Sequence, residues 1–361
     1  MKLFTITPCG VLTASLCCVL CFSACRHEGE MNPSTNAEKV CEGQNLTHKG
    51  IYLLNEGNWG SNKCMLDYFE FATGTYCRDV FGTINPYVTQ GLGDVGNDLK
   101  IYGSRLYAVV NASNLIEIMD LNGKHITSLT LTNPRNIAFK DQYAYVSSYT
   151  NVVYRFDTAA VNILEICAVG PQPEGIEIVE NTLFTANSGG YNYPNYDSTL
   201  SVVDLLSFKE TRRLPVVVNP FLMKSDEHNQ LWIISQGDYL ANPSCLVCLN
   251  TQTLEVTDTI DIRVSDMWLD GDELYCIAQG SYKIVNVVSH EVTNSAFITD
   301  GTDSGIETPY GILVEPETKN VYITDVRQYV APGKLYCYSP EGKRLWTVFT
   351  SDVPGHLTLV K

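Results

Sequence analysis

Residues 173–217 read PEGIEIVENTLFTANSGGYNYPNYDSTLSVVDLLSFKETRRLPVV. The stretch holds four short apolar runs, at 174–179, 183–186, 200–205 and 211–217. Polar turns at Glu180-Asn181 and Ser207-Phe208 separate the first run from the second and the third from the fourth. The longer segment 187–198 separates the second from the third. Short β-rich runs bounded by turn residues read as strands. Four strands in a meander, copied along a chain, describe one blade of a β-propeller. The segment 187–198 should then lie on one end of the propeller, where function is expected.

The copies can be counted from their first strands, because a fixed period marks a repeat architecture. These read GDVGNDLKIYG (93–103), NPRNIAFK (133–140), PEGIEIVE (173–180), NPFLMKSD (219–226), SDMWLDG (265–271), TPYGILVE (308–315) and PGHLTLVK (354–361). Spacings of 39, 47 and 45 residues separate Pro134 from Pro173, Pro173 from Pro220 and Pro309 from Pro354. The last first strand stands alone at the C-terminal end. Residues 50–81 supply its complement, three strands without a first. The expectation is an all-β, seven-bladed propeller over 50–361, closed by pairing of the C-terminal strand with the N-terminal blade. Such closure removes exposed sheet edges. Face-to-face blades also explain runs such as 200–205 and 246–249, which are apolar on both parities.

Composition narrows the partners. The 361 residues are 45% hydrophobic, enough for a large core, and carry a net charge of −16. An acidic chain repels nucleic acid and anionic lipid, so neither is expected as a partner. No run after residue 25 approaches the ~20 apolar residues of a spanning helix.

The first residues, MKLFTITPCGVLTASLCCVLCFSAC, place one Lys before a long apolar run that ends in small residues. This reads as an export signal over 1–24. Phe22-Ser23-Ala24-Cys25 resembles a bacterial lipobox, with Phe22 where Leu is usual, so Cys25 is the expected lipidation site and the only link to a membrane. Residues 25–49 are polar and aperiodic and read as a flexible tether. Glu28 and Glu30 partly match the acidic cluster of surface-exported Bacteroidetes lipoproteins, so outer-membrane, cell-surface placement is expected.

The two ends of the propeller differ. Turns between strands one and two, and three and four, are short and polar. Loops between strands two and three are longer and rich in Tyr, Asn and Gly. They carry Asn55, Trp59, Asn111 and Tyr149, then Tyr191, Tyr193 and Tyr196, then Tyr239, Tyr282 and Tyr329. Connections into the next blade add Tyr310, with Tyr87, Phe221 and Trp268, and His356 should approach the axis. Aromatic bodies with polar tips on one end suit a flat, partly apolar ligand. A competing use for any single ring is to wedge between blades.

Other motifs lead elsewhere. Cys245-x-x-Cys248 lies within a strand, where side chains three apart face opposite ways, so core packing is expected rather than zinc or redox chemistry. No G-x-S-x-G and no H-E-x-x-H occurs. Asp94, Asp98, Glu174, Glu177, Asp266 and Glu307 approach the axis, and a ring of them could hold a metal, but they do not share one repeat position. No catalytic residue, metal or cofactor is therefore expected. His125, His228 and His290 fall in short turns, and His27 and His48 in the tether.

With the blades counted, LLNEGNWGSNKCMLDYFEFATGTY (53–76), GDVGNDLKIYGSRLYAVVNASN (93–114), TANSGGYNYPNYDSTLSVVDL (185–205) and the 309–346 run resemble the YncE-like propellers of Bacteroidetes surface lipoproteins. Within that family the likeness is to the cobamide-capture type. The resemblance implies a seven-bladed propeller that binds a corrinoid such as vitamin B12 or cobinamide on one face. It further implies delivery to a BtuB-like TonB-dependent outer-membrane transporter. Glycan-binding lipoproteins favour similar Tyr/Trp/Asn surfaces and form the alternative, with a lactonase-like enzyme third.

Overall fold

A computed structural model describes residues 36–279, 281–329 and 332–361. The export signal, Cys25 and the first part of the tether lie outside the described residues. The described chain forms seven antiparallel sheets. Blade 2 is built from Gly96–Tyr102, Arg105–Val110, Leu115–Asp120 and His125–Thr130, paired in sequence order from the axis outward. Blades 3 to 7 repeat this order, with inner strands Pro134–Lys140, Pro173–Val179, Pro220–Ser225, Val264–Asp270 and Pro309–Val314. Pro suits the first residue of an inner strand because no ladder hydrogen bond is required of its missing N–H there.

Blade 1 closes the ring as expected. The C-terminal strand Pro354–Val360 pairs with Gly50–Asn55, Val360 opposite Gly50 and His356 opposite Leu54. Met65–Glu70 and Thr75–Cys77 complete the blade. One strand more is present than the sequence suggests. Ala37–Lys39 pairs with Thr75–Cys77 as a fifth, outermost strand. Residues 36–49, expected as part of the tether, thus belong to the propeller. Val40, Cys41 and Leu46 pack beside Phe69, Phe71 and Trp346. The Thr47 N–H donates to Glu317 at 2.5 Å, and the Lys49 N–H to the Val360 carbonyl at 2.7 Å. These few apolar residues in a polar stretch give the segment enough to bury.

One apolar cluster fills each interface between neighbouring blades. Second strands feed two clusters at once: Ile51 and Leu53 face blade 7, while Tyr52 and Leu54 face blade 2. Leu231 and Ile233 face blade 4, while Trp232 and Ile234 face blade 6. Alternation along a strand thus appears as a continuous apolar run, because both faces are covered. Cys245 and Cys248 follow the same rule, packing in different interfaces. The eight described cysteines are all unpaired. Among the described residues no helix is long and apolar enough to cross a membrane. A short helix, Val80–Ile84, capped by Asp79 and anchored by buried Phe81, wedges between blades 1 and 2.

Candidate functional site

The loop-rich end rests on a ring of polar residues at the ends of the second strands. Asn55, Asn111, Ser148, Asn187, Ser235 and Asp325 are all essentially buried. Each ties the strand end to a nearby loop, connection or strand. Asn111 Nδ2 donates to the Pro134 carbonyl at 2.9 Å, Ser148 Oγ to Thr132 and Ser235 Oγ to Val218. Asp325 accepts from the Glu307, Thr308 and Arg327 amides. Buried polar groups must find such partners. Asn111, expected on the binding surface, is therefore structural; Asn55 is fully buried as well, its Nδ2 donating to the Leu53 and Met65 carbonyls while its Oδ1 has no partner among the described residues. Tyr282 is also corrected: it is 6% exposed and packs with Ile284 and Phe297 between blades 6 and 7.

Tyr87 and Trp268 move as well. The Tyr87 ring lies 6.4 Å from His125, beside a short turn at the opposite end of blade 2. Trp268 lines the axis, one layer below the loop end. Phe221 is partly buried against the cluster between blades 5 and 6.

The remaining rings stay on the loop end. Trp59, Tyr191, Tyr193, Tyr239 and Tyr329 are 75, 69, 62, 66 and 44% exposed. The tyrosines among them are joined edge to face: Tyr149 to Tyr191 at 5.1 Å, Tyr193 to Tyr196 at 6.1 Å, Tyr196 to Tyr239 at 6.0 Å, Tyr310 to Tyr329 at 6.2 Å. Such pairs contribute roughly 0.5–1.5 kcal/mol each beyond area burial, so the rings are held in place without ligand. Tyr239 and Tyr329 both sit at φ 61°, a left-handed conformation that large side chains rarely adopt. Beside Tyr239, Leu240, Asn242, Arg263 and Gln279 line a groove of about 720 Å³.

Toward the axis the aromatic arc meets charge. Arg135 of blade 3 holds Glu174 of blade 4 in a fork, Nε to Oε2 at 2.8 Å and Nη2 to Oε1 at 3.1 Å. The Tyr149 hydroxyl also donates to Glu174, and its ring lies under the Arg135 guanidinium at 4.5 Å. Burial raises the Glu174 carboxyl, and Arg135 opposes that rise. Across the axis Glu56 stands beside Tyr310 and 3.2 Å from His356 Nε2. Burial lowers the His356 imidazole, but Glu56, Asp98 and Asp266 outweigh it and hold it above the ordinary range. Glu174 is among the carboxylates expected near the axis, but its pairing with Arg135 and the place of Glu56 escape a reading of the sequence, since no residue type recurs at these positions from blade to blade. Only the outward alternation of the inner strands hints at them.

The other axial carboxylates stitch blades together. The ladder shifts register near the start of each inner strand, and in blades 3 and 7 this turns an amide toward the preceding blade. Asp98 Oδ2 accepts from Ile137 N and Asp266 Oδ2 from Ile312 N, both at 3.0 Å. Glu177 accepts from the Ser225 hydroxyl at 2.8 Å. The inner strands crowd here: a Cβ on Gly311 would lie 2.4 Å from the Gly355 carbonyl oxygen. Asp94 instead accepts from the Gly60 and Asn62 amides and shapes the first loop, and Glu307 pairs with Arg327. Among the described residues one group of possible metal ligands exists, His48, Glu315 and Glu317, at the opposite end. Glu315 already accepts from the Glu317 and Thr318 amides, so the group serves to pin residues 36–49 to blade 7.

No family model and no curated protein matches the chain. Solved structures do share its fold. A quinonprotein alcohol dehydrogenase-like protein from Bacteroides thetaiotaomicron is 14% identical, with a TM-score of 0.66 over 86% of this chain and 78% of that one. Hydrazine synthase from Kuenenia stuttgartiensis is 14% identical, with a TM-score of 0.58 over 68% of this chain and 77% of that one. The computationally designed Ika8 protein is 11% identical, with a TM-score of 0.55 over 86% and 91%. At such identities the likeness speaks for architecture alone. The chain is a seven-bladed β-propeller closed through its C-terminal strand, a scaffold capable of binding a ligand.

Proposed function

We propose that this protein is a surface-displayed lipoprotein, anchored through Cys25, that captures a corrinoid on its loop-rich end and passes it to a BtuB-like TonB-dependent outer-membrane transporter. The observation that carries the reading is the arc of exposed rings on one end: Trp59, Tyr191, Tyr193, Tyr239 and Tyr329. A corrin has broad apolar faces and a rim of amides. Rings held edge to face offer area at little ordering cost, and Tyr hydroxyls and loop amides can pair with the rim. Capture and release need no bond to be made or broken, so this is a binding protein and not an enzyme. The YncE-like motifs of the sequence support the same ligand class.

The test is direct. The protein lacking residues 1–25 is mixed with cyanocobalamin or cobinamide and run on gel filtration. Corrin colour eluting with the protein is the expected result; colourless protein fractions would refute it. The groove beside Tyr239, with Asn242, Gln279 and Arg263 in its lining, favours a glycan as the second reading, and an oligosaccharide screen follows a colourless result.

A further inference from the structure

The long loop of blade 4, residues 187–198, meets both neighbouring blades at its tip. Tyr191 packs edge to face on Tyr149 of blade 3, and Tyr196 on Tyr239 of blade 5. The two supports differ in kind. Tyr239 is 66% exposed, and its hydroxyl donates to the neutral Gln236 Oε1 at 3.1 Å. Tyr149 is half-buried and fixed at three points. Its N–H donates to the Asn133 carbonyl at 3.1 Å, its ring lies 4.5 Å under the Arg135 guanidinium, and its hydroxyl donates to Glu174. A hydrogen bond to a carboxylate is charge-assisted and stronger than one to a neutral amide. The firm support of the loop is therefore Tyr149.

The loop backbone also rests on Tyr149 directly. A Cβ at position 190 would stand 2.9 Å from the Tyr149 hydroxyl oxygen, closer than carbon and oxygen pack, so glycine is what lets the chain pass there. Gly190 N in turn donates to Ser188 Oγ at 3.1 Å, and Asp197 N to the Ser188 carbonyl at 3.0 Å. The line of contact crosses the blade interface twice: Arg135 and Tyr149 belong to blade 3, Glu174 and Gly190-Tyr191 to blade 4.

We infer that Arg135 and Glu174 are positioning residues of the loop-end surface: acting through Tyr149, they set where Gly190 and the Tyr191 ring are presented. Their own side chains are 18% and 5% exposed, so they act through the ring they hold and not by contact with a ligand. Rings held before binding lower the ordering cost of binding, and releasing the Tyr149 hydroxyl returns that cost to the binding step. The placement of the loop does not depend on what binds, whereas the effect on affinity rests on the corrinoid reading.

Hydrogen exchange of the ligand-free protein, read by mass spectrometry, tests the placement. The bonded amides of 190–197 report how the loop is seated. Tyr149→Phe, which keeps the ring and loses the hydroxyl, should quicken their exchange at least about five-fold and leave the blade 5 loop 236–244 at the parent rate. Arg135→Met and Glu174→Gln, which leave Tyr149 intact, should quicken the same amides and spare 236–244. Gly190→Ala displaces the hydroxyl from the other side of the contact and should match Tyr149→Phe. A general loss of stability would quicken both loops alike, and a loop with no tie to the ion pair would exchange at the parent rate; either result overturns the inference. If Arg135→Met does not fold, Glu174→Gln and Tyr149→Phe still decide.

Calorimetric titration with cyanocobalamin reads the consequence. Tyr149→Phe and Glu174→Gln should each weaken binding at least about three-fold. Lys343→Met, in an exposed turn, should leave it unchanged. Unchanged affinity in both variants of a parent that binds overturns the inference. A parent that does not bind refutes the corrinoid reading instead, and hydrogen exchange then decides the placement on its own.

Discussion

Arg135→Met tests the junction between the aromatic arc and the axis. Glu174 has 5% of its side-chain surface exposed and Arg135 18%. Removing the guanidinium leaves a carboxylate in a buried site with only the Tyr149 hydroxyl as partner. Breaking a buried pair from one side costs about 3–5 kcal/mol, and the partial exposure of Arg135 places this case near about 3 kcal/mol. Urea denaturation of the parent, Arg135→Met, Glu174→Gln and the double variant forms the cycle that isolates the pair. With Gln at 174 there is no charge to strand, so Arg135→Met should then cost no more than about 1 kcal/mol.

The same variant has a pH signature. Burial already raises Glu174 above its ordinary value of 4.5, and loss of Arg135 raises it further. The native state then keeps a proton that the unfolded chain releases, so stability falls as pH rises through the window between those values. The gap between parent and Arg135→Met should be widest at about pH 7.5 and shrink toward about 1 kcal/mol at about pH 3.5, below the ordinary carboxyl value, where both states are protonated. An equal cost of Arg135→Met with Glu or Gln at 174, or a gap that does not change with pH, would refute the reasoning.

Three further outcomes are expected. Deleting residues 354–361 removes the strand paired with Gly50–Asn55 and opens the ring, so the product should aggregate or melt far below the parent; a truncated protein with the parent's melting curve contradicts closure. Tyr191→Ala combined with Tyr193→Ala removes the two most exposed rings of the long loop and should weaken cobalamin binding by at least ~2 kcal/mol in calorimetry, with Lys343→Ala unchanged. Cys25→Ser should move the protein from the outer-membrane fraction to the soluble envelope fraction, read by fractionation and blotting; a variant that stays with the membrane contradicts the lipobox.

The blades were legible because their signal is local and repeated. A Pro or equivalent turn residue opens each inner strand, and two-sided burial makes the middle of most second strands a continuous apolar run. The exposed rings of the long loop were legible for the opposite reason: Tyr191 and Tyr193 sit in a segment too polar and too long to be a strand. What escaped depends on where a side chain turns after the strand ends. Asn111 looks like a loop residue, but its amide turns inward to the Pro134 carbonyl. Tyr282 looks like a loop ring, yet it fills the space beside Phe297. Residues 36–49 have no periodicity of their own and acquire structure from an edge and an aromatic cluster already made by distant parts of the chain. The recurrence of Asn, Ser or Asp at six second-strand ends was the one available clue to the buried ring.

That ring bears on how such a protein can change over evolutionary time. Six of the seven loops are clamped at their own base, while the strands that flank them keep pairing in register: Ser148 opposite Val152 across a short connection, Asn187 opposite Thr199 across a long one. Insertions and substitutions beyond the clamp are therefore insulated from the blades that carry stability. Ligand preference can drift by exchange of one loop at a time, with six others holding the remainder of the surface unchanged.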